Sequence, residues 1–235
     1  MSIAKNIDAL QRRIAAVAKR AGRNSAQVTL MAVTKTHPPE LIREAYAAGL
    51  RTFGENRVQE FSEKAAALAD LAGAEWHMIG HLQTNKAGKA AELFTAVDSV
   101  DSAKLAAKLD AAARAGNKKL QVLIEINVGG EAAKSGLAPG SAELEELLVG
   151  APRFEALEFC GLMTVPPFTD DPEGARLFFR KLRVLRDAIG ARKLPAVGLG
   201  ILSMGMSHDF EVAIEEGSTC VRIGTAIFGE RPSKA

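Results

Sequence analysis

The chain has 235 residues, 30 basic and 28 acidic, with a formal net charge of +2; 47% of it is apolar and only 5% aromatic. Near charge balance removes any strong pull on polyanions, and so few aromatics leave no platform for stacking bases, so no nucleic-acid partner is expected. The apolar fraction suffices for a large core without staples, and no stretch of 18 uninterrupted apolar residues occurs that would span a membrane.

At the N-terminus, Ile3, Ile7, Leu10, Ile14 and Val17 form one apolar stripe, and Gly22 follows as a C-terminal cap. This spacing predicts an amphipathic helix over 2–22, docked on the rest of the chain rather than removed as a leader. A regular alternation follows. "VTLMAVTK" (28–35) is a buried strand, and Pro38 and Pro39 open a helix that Gly49 closes. "RTFGEN" (51–56) is a short strand and turn, and Asn56 with Gln59 has the spacing of a capping box for a helix through Ala69. "EWHMIG" (75–80), "FTAVDSV" (94–100), "LQVLIEINV" (120–128), "LEFCGLMTV" (157–165), "LGILSMG" (199–205) and "TCVRIGT" (219–225) are further strands. Between them lie helical segments capped by Asp101 or Ser102, by Ser141, and by Ser207, and a long helix from Pro172 to Gly190. Only "RPSKA" is left after Glu230.

Eight near-continuous apolar strands alternating with helices predict a parallel sheet covered by helices, and at this length the economical closure is a single-domain (β/α)8 TIM barrel with an extra N-terminal helix. A doubly wound open sheet is the alternative, disfavoured by eight repeats and the lack of a GxGxxG loop. Cys160 and Cys220 sit in apolar strand segments without a CxxC spacing, and fit small core residues in a reducing, cytoplasmic compartment. Lys86 and Lys89 on one helix fit a solvated face.

Sites in such a barrel form at the C-terminal strand ends. Those ends carry Lys35, Asn56, Gly80 and His81, Asp98 and Ser99, Asn127, Met163 and Thr164, then Ser203, Met204 and Gly205, and finally Arg222, Gly224 and Thr225. Closure makes the eighth strand a neighbour of both the seventh and the first, so Lys35, Ser203, Arg222, Gly224 and Thr225 share one arc. "SMGMS" and "IGTAIFG" are glycine-containing loops entering helices, where backbone N–H groups favour an anion and the Ser203 and Thr225 hydroxyls add donors. Tight turning alone is the plainer explanation of the glycines. Strand pleating puts Met31, Val33 and Lys35 on one face, and Cys220, Arg222 and Gly224 on one face of the last strand. An arginine there needs an anion, an acceptor, or a structural carboxylate such as Glu55 or Glu125. A lysine beside a phosphate cup suggests a Schiff base with a phosphate-bearing aldehyde. That chemistry needs the neutral amine, whereas a free lysine has a pKa of about 10.4; partial burial and a nearby cation both lower it. A point charge facing phosphate is the competing role.

Taken together, "AVTKTHPPELIREAYAAG", "FGENRVQE", "WHMIGHLQTNK", "VDSVDS", "INVGGEAAKSGL", "GLMTV" and "LSMGMSHDFEVAIEEGSTCVRIGTAIFG" resemble the pyridoxal 5′-phosphate homeostasis protein family, from about residue 3 to 231. The resemblance implies a monomeric or weakly associating barrel similar to the N-terminal domain of alanine racemase. It implies pyridoxal 5′-phosphate held by Lys35 as a covalent aldimine. Ser203, Gly224 and Thr225, with the backbone around Met204 and Gly205, would hold the phosphate. Arg222 would face the pyridine nitrogen and Asn56 the ring edge, unless Asn56 is only a helix cap. Its partners would be the cofactor and, as recipients, pyridoxal phosphate-dependent apo-enzymes.

A racemase also needs an acid/base opposite the lysine, which in the resembling racemases is a tyrosine from a second domain. Tyr46, the only tyrosine, belongs to the first barrel helix. The expected function is therefore cofactor homeostasis without robust catalysis and without a metal. A racemase-like enzyme using His37, His81 or His208 is the alternative, with His77 expected to be a packed core histidine. A phosphate-sugar barrel enzyme is a third reading, weakened because Asp98 is the lone candidate acid at a strand end.

Overall fold

The computed structural model of the protein describes residues 2–131 and 134–229; the terminal "RPSKA" stretch lies outside them. Eight parallel strands close on themselves in chain order: β1 (Thr29–Val33), β2 (Thr52–Glu55), β3 (Glu75–Met78), β4 (Ala96–Val100), β5 (Leu120–Glu125), β6 (Leu157–Met163), β7 (Val197–Ser203) and β8 (Cys220–Ile223). The expected (β/α)8 barrel is the observed fold. The helices are α1 (Ile3–Arg20), α2 (Pro39–Ala47), α3 (Val58–Lys64), α4 (Ala87–Leu93), α5 (Ala103–Ala115), α6 (Ala142–Gly150), α7 (Arg176–Ala191), α8 (Phe210–Glu215) and α9 (Thr225–Phe228).

Closure is carried by β1 and β8, which pair Met31 with Arg222 and Ala32 with Ile223. The pleat sorts residues into two layers. Leu30, Ala32, Val221 and Ile223 join the apolar core shared with the helices. Met31 and Arg222 belong to the barrel interior instead, where the Met31 sulfur and the Ile79 side chain both fill the space beside Gly54. Helix α1 buries the expected stripe of Ile3, Ile7, Leu10, Ile14 and Val17, each such side chain contributing about 1.5–3 kcal/mol. It rests on α2, α8 and α9. Its Asn6 donates to the carbonyl of Ile227 at 2.8 Å, so α1 also steadies α9 behind the barrel mouth.

Four boundaries differ from expectation, each for a local reason. Arg57, not Asn56, stands at the N-terminus of α3 with no side-chain cap, and the helix tightens into a 3₁₀ turn after Lys64. Asn56 is held instead by packing: a side chain at Gly80 would lie 2.4 Å from the Asn56 carbonyl oxygen. The long helix after Pro172 begins as a 3₁₀ turn capped by Asp171. Ser207 does not cap α8, which starts after Asp209; its hydroxyl accepts from the Ala226 N–H at 3.5 Å. Strand β7 runs from Val197 to Ser203, two residues earlier than its apolar pattern suggests, because Gly198 and Gly200 hide its start.

A buried charge cluster ties two helices of the outer layer together. Glu216, 3% exposed, receives Arg176 at 3.2 Å, Arg180 at 2.8 Å and Arg183 at 3.1 Å, binding α7 to the end of α8. Burial pushes its carboxyl up, but the bonds from Arg180 and Arg176 outweigh this and hold it below the ordinary glutamate range. A depressed carboxylate stabilises the fold above its unfolded-state pKa of about 4.3, and that contribution is lost as pH falls through the lower folded value. Urea midpoints measured from pH 6 to 3 should therefore fall on acidification, and Glu216→Gln should show a shallower acid limb. An unchanged limb would mean that the cluster is not titrating.

Candidate functional site

The C-terminal strand ends surround a cavity of about 340 Å3, within the size range of small-molecule sites. Lys35 reaches it two residues beyond β1, and Thr36 turns the chain with φ 66° before Pro39 starts α2. A β-branched residue with positive φ is a true conformational outlier. Lys35, Asn56, Arg222, Gly224 and Thr225 all line the cavity. Its apolar wall is Val33, Ile79, Val165 and Phe168.

Arg222 is 3% exposed. It donates from Nη1 to the Ser203 hydroxyl and from Nη2 to the Thr164 carbonyl, both at 2.7 Å. Burial pulls its guanidinium below the ordinary value, against the nearby carboxylates of Asp98, Asp209 and Glu125. Neither carboxylate expected as a structural partner takes that role. Glu55 binds Lys64 and Thr34, and Glu125 accepts from the Ser135 hydroxyl at 2.9 Å. Arg222 thus enters the cavity on two neutral acceptors.

The structure separates the expected anion-binding residues. Ser203 is fully buried under Arg222 and does not line the cavity. Met204 and Gly205 lie behind the wall, where the Met204 N–H donates to Cys220 and the Gly205 carbonyl accepts from the Arg222 N–H at 2.9 Å. Gly205 has φ 95°, and a side chain there would come within 2.5 Å of Ala213, so glycine is required for the chain to pass α8. With β7 ending at Ser203, the lining positions of this loop become Met206, Ser207 and His208. Sequence reasoning passed over Met206 and named Ser207 only as a cap; only its nearness to the "SMG" turn pointed to it.

Behind Lys35 lies a second unexpected group. Lys64 is 8% exposed, and its Nζ donates to Glu55 Oε1 at 2.7 Å, Glu60 Oε1 at 3.0 Å, the Thr34 carbonyl at 3.1 Å and the His37 carbonyl at 3.4 Å. Glu60 accepts the Thr36 N–H, and Thr34 donates its hydroxyl to Glu55 at 2.7 Å. Burial pushes the Glu55 carboxyl up, with Lys64 acting against it.

Of the mouth histidines, His37 packs against Phe228 with ring centres 4.4 Å apart and the planes tilted by 32°. His208 approaches the Thr169 and Asp170 carbonyls at 3.2 and 3.1 Å. His81 pairs with Asp101 in the adjoining basin. Tyr46 lies outside the mouth, its hydroxyl donating to Ala72 and its ring covered by Arg51. His77 does more than pack. Its Nδ1 meets Asp98 at 2.9 Å beside a cavity of about 110 Å3 at the opposite end of the barrel. Burial lowers its pKa, yet Asp98 raises it further, for a net upward shift. Asp98 is thereby committed away from the mouth. Cys160 and Cys220 line that lower cavity, and burial pushes the Cys220 thiol up to about 12. No cluster of His, Cys, Asp and Glu suited to a metal occurs among the described residues, and no helix there is long and apolar enough to cross a membrane. Lys89 pairs with Glu92 on the surface of α4.

An amine, a guanidinium on neutral supports, two hydroxyl-bearing loops and an apolar wall suit a flat carbonyl compound carrying an anionic group. Residues 6–232 match the family "Alanine racemase, N-terminal domain". The pyridoxal phosphate homeostasis protein of Aquifex aeolicus is 47% identical over 232 residues, covering 98% of this chain and 99% of that one. The structure of PipY from Synechococcus elongatus PCC7942 with pyridoxal phosphate bound superposes with a TM-score of 0.84 at 36% identity, covering 97% of this chain and all of that one. An alanine racemase from Clostridium difficile shares the fold, with a TM-score of 0.77 at 14% identity, covering 99% of this chain but 58% of its own. The chain belongs to the pyridoxal phosphate homeostasis protein family.

Proposed function

We propose that the protein binds pyridoxal 5′-phosphate in the mouth cavity, attaches it covalently at Lys35, and serves its homeostasis without robust catalysis. The observation that carries this reading is the meeting of Lys35 and Arg222 in one cavity that Ser207, Gly224 and Thr225 also line. The residues fit the group. Thr225, Ser207 and the glycine-bearing turn would hold the phosphate, and Val33, Ile79 and Val165 would face the ring. When bound, the cofactor supplies an electrophilic aldehyde carbon and a conjugated ring.

Arg222 would face the ring nitrogen. A guanidinium is a donor with no acceptor site, so it leaves that nitrogen unprotonated and weakens the ring as an electron sink. Ser203 and Thr164 act through Arg222 by fixing its two ends. Asn56 would border the ring edge. We further propose a single-domain monomer acting in the cytoplasm and passing cofactor to dependent apo-enzymes. The support is the absence of a CxxC spacing and the placing of Cys160 and Cys220 as free thiols in the barrel strands, which suits a reducing setting.

The racemase-like reading rests on His37 and His208 lining the cavity. His208 is occupied with two loop carbonyls and His37 with Phe228, which favours the non-catalytic reading. Incubation of the loaded protein with L-alanine in deuterated water is expected to give no rapid exchange at the α-carbon by NMR. Rapid exchange would overturn the non-catalytic reading.

A further inference from the structure

We infer that Glu60 and Lys64 are positioning residues that hold the turn bearing Lys35 in its left-handed form and so aim the Lys35 amine. The inference rests on the proposed attachment of the cofactor at Lys35. Every residue flanking Lys35 in this turn is tied to the same charge cluster. Lys64 Nζ holds the carbonyls of Thr34 and His37, and Glu60 takes the N–H of Thr36. Glu55, fully buried, braces both the Lys64 ammonium and the Thr34 hydroxyl.

The cluster answers a conformational need. Thr36 adopts φ 66°, a state that side chains branched at Cβ avoid and that persists only where surrounding contacts impose it. A charge-assisted bond from its N–H to Glu60 is such a contact, being stronger than a neutral one. Burial pushes Glu60 up, but the Thr36 N–H and Lys64 outweigh this and keep it an acceptor. If the turn relaxes, Thr36 returns to negative φ and the Cα–Cβ direction of its neighbour Lys35 changes with it. None of the three cluster residues lines the mouth cavity, so loss of the staple acts on the aim of the amine and not on the cup that holds phosphate.

The test separates covalent from non-covalent binding in the full-length protein. Glu60→Ala is the working variant, because Glu60 is partly exposed at 25% of its side chain and Lys64 keeps Glu55 as a partner. Titration with pyridoxal 5′-phosphate, followed by the visible band of the covalent adduct, should show about tenfold weaker attachment in Glu60→Ala. Affinity for pyridoxine 5′-phosphate, which has an alcohol in place of the aldehyde and cannot attach, should be unchanged. Thr36→Gly removes the need for the staple, so Glu60→Ala made in a Thr36→Gly background should lose much less attachment. Wild-type attachment in Glu60→Ala, an equal loss of pyridoxine phosphate affinity, or no rescue by glycine would each overturn the inference. A wild-type protein without a visible band would instead defeat the Lys35 reading itself.

Discussion

Lys35→Ala is expected to abolish the visible absorption of the protein with pyridoxal phosphate while leaving measurable affinity for its phosphate. Lys35 lines the cavity on the β1 side, whereas Ser207, Gly224 and Thr225 come from the loops after β7 and β8. Removing the amine deletes the covalent link but not these donors. Equilibrium binding, measured by calorimetry or fluorescence, should weaken by about 10- to 100-fold, equivalent to about 1.4–2.7 kcal/mol. Complete loss of phosphate binding would show that Lys35 acts mainly as the charge partner of the anion.

The second large effect lies away from the cavity. A Cβ at Gly161 would fall 1.9 Å from the carbonyl oxygen of Ile201 on the neighbouring strand, so Gly161→Ala must push β6 and β7 apart. The register there is already irregular between Phe159 and Gly161, leaving backbone as the only group to yield. A cost above about 4 kcal/mol is expected, in the range that marks a specific packing failure. Two residues further on, Met163 pairs with Ser203, and Thr164 and Ser203 are the two acceptors that fix Arg222. The same substitution should therefore weaken cofactor binding in whatever fraction still folds. Thermal unfolding and a cofactor titration on one sample check both; wild-type values for both would mean that the strand junction is far softer than its geometry indicates.

The barrel was legible because its strands are near-continuous apolar runs at regular intervals, and because closure alone brings the first and last strands together. Strand pleating placed Arg222 inside, and the structure adds what holds it. Of the partners open to such an arginine, two neutral acceptors take its ends, while Glu55 and Glu125 bond elsewhere, a choice invisible to charge counting. Ser203 ends β7 as expected of a strand-end residue, yet it is buried with its hydroxyl taken by Arg222, a contact between β7 and β8 that no local pattern shows. Lys64 gave no sign at all. Four residues after Glu60, it has the spacing of an ordinary exposed helix pair, and only the packing of α3 under the β1 turn buries it. His77 and Asp98 give no sign of pairing in the sequence, since nothing local shows that β3 and β4 set them side by side.

Attachment of the cofactor at Lys35 is tested by borohydride reduction of the protein loaded with pyridoxal 5′-phosphate, followed by peptide mass mapping. One reduced adduct is expected, on the peptide containing Lys35. An adduct confined to another lysine, or none at saturating cofactor, would contradict it.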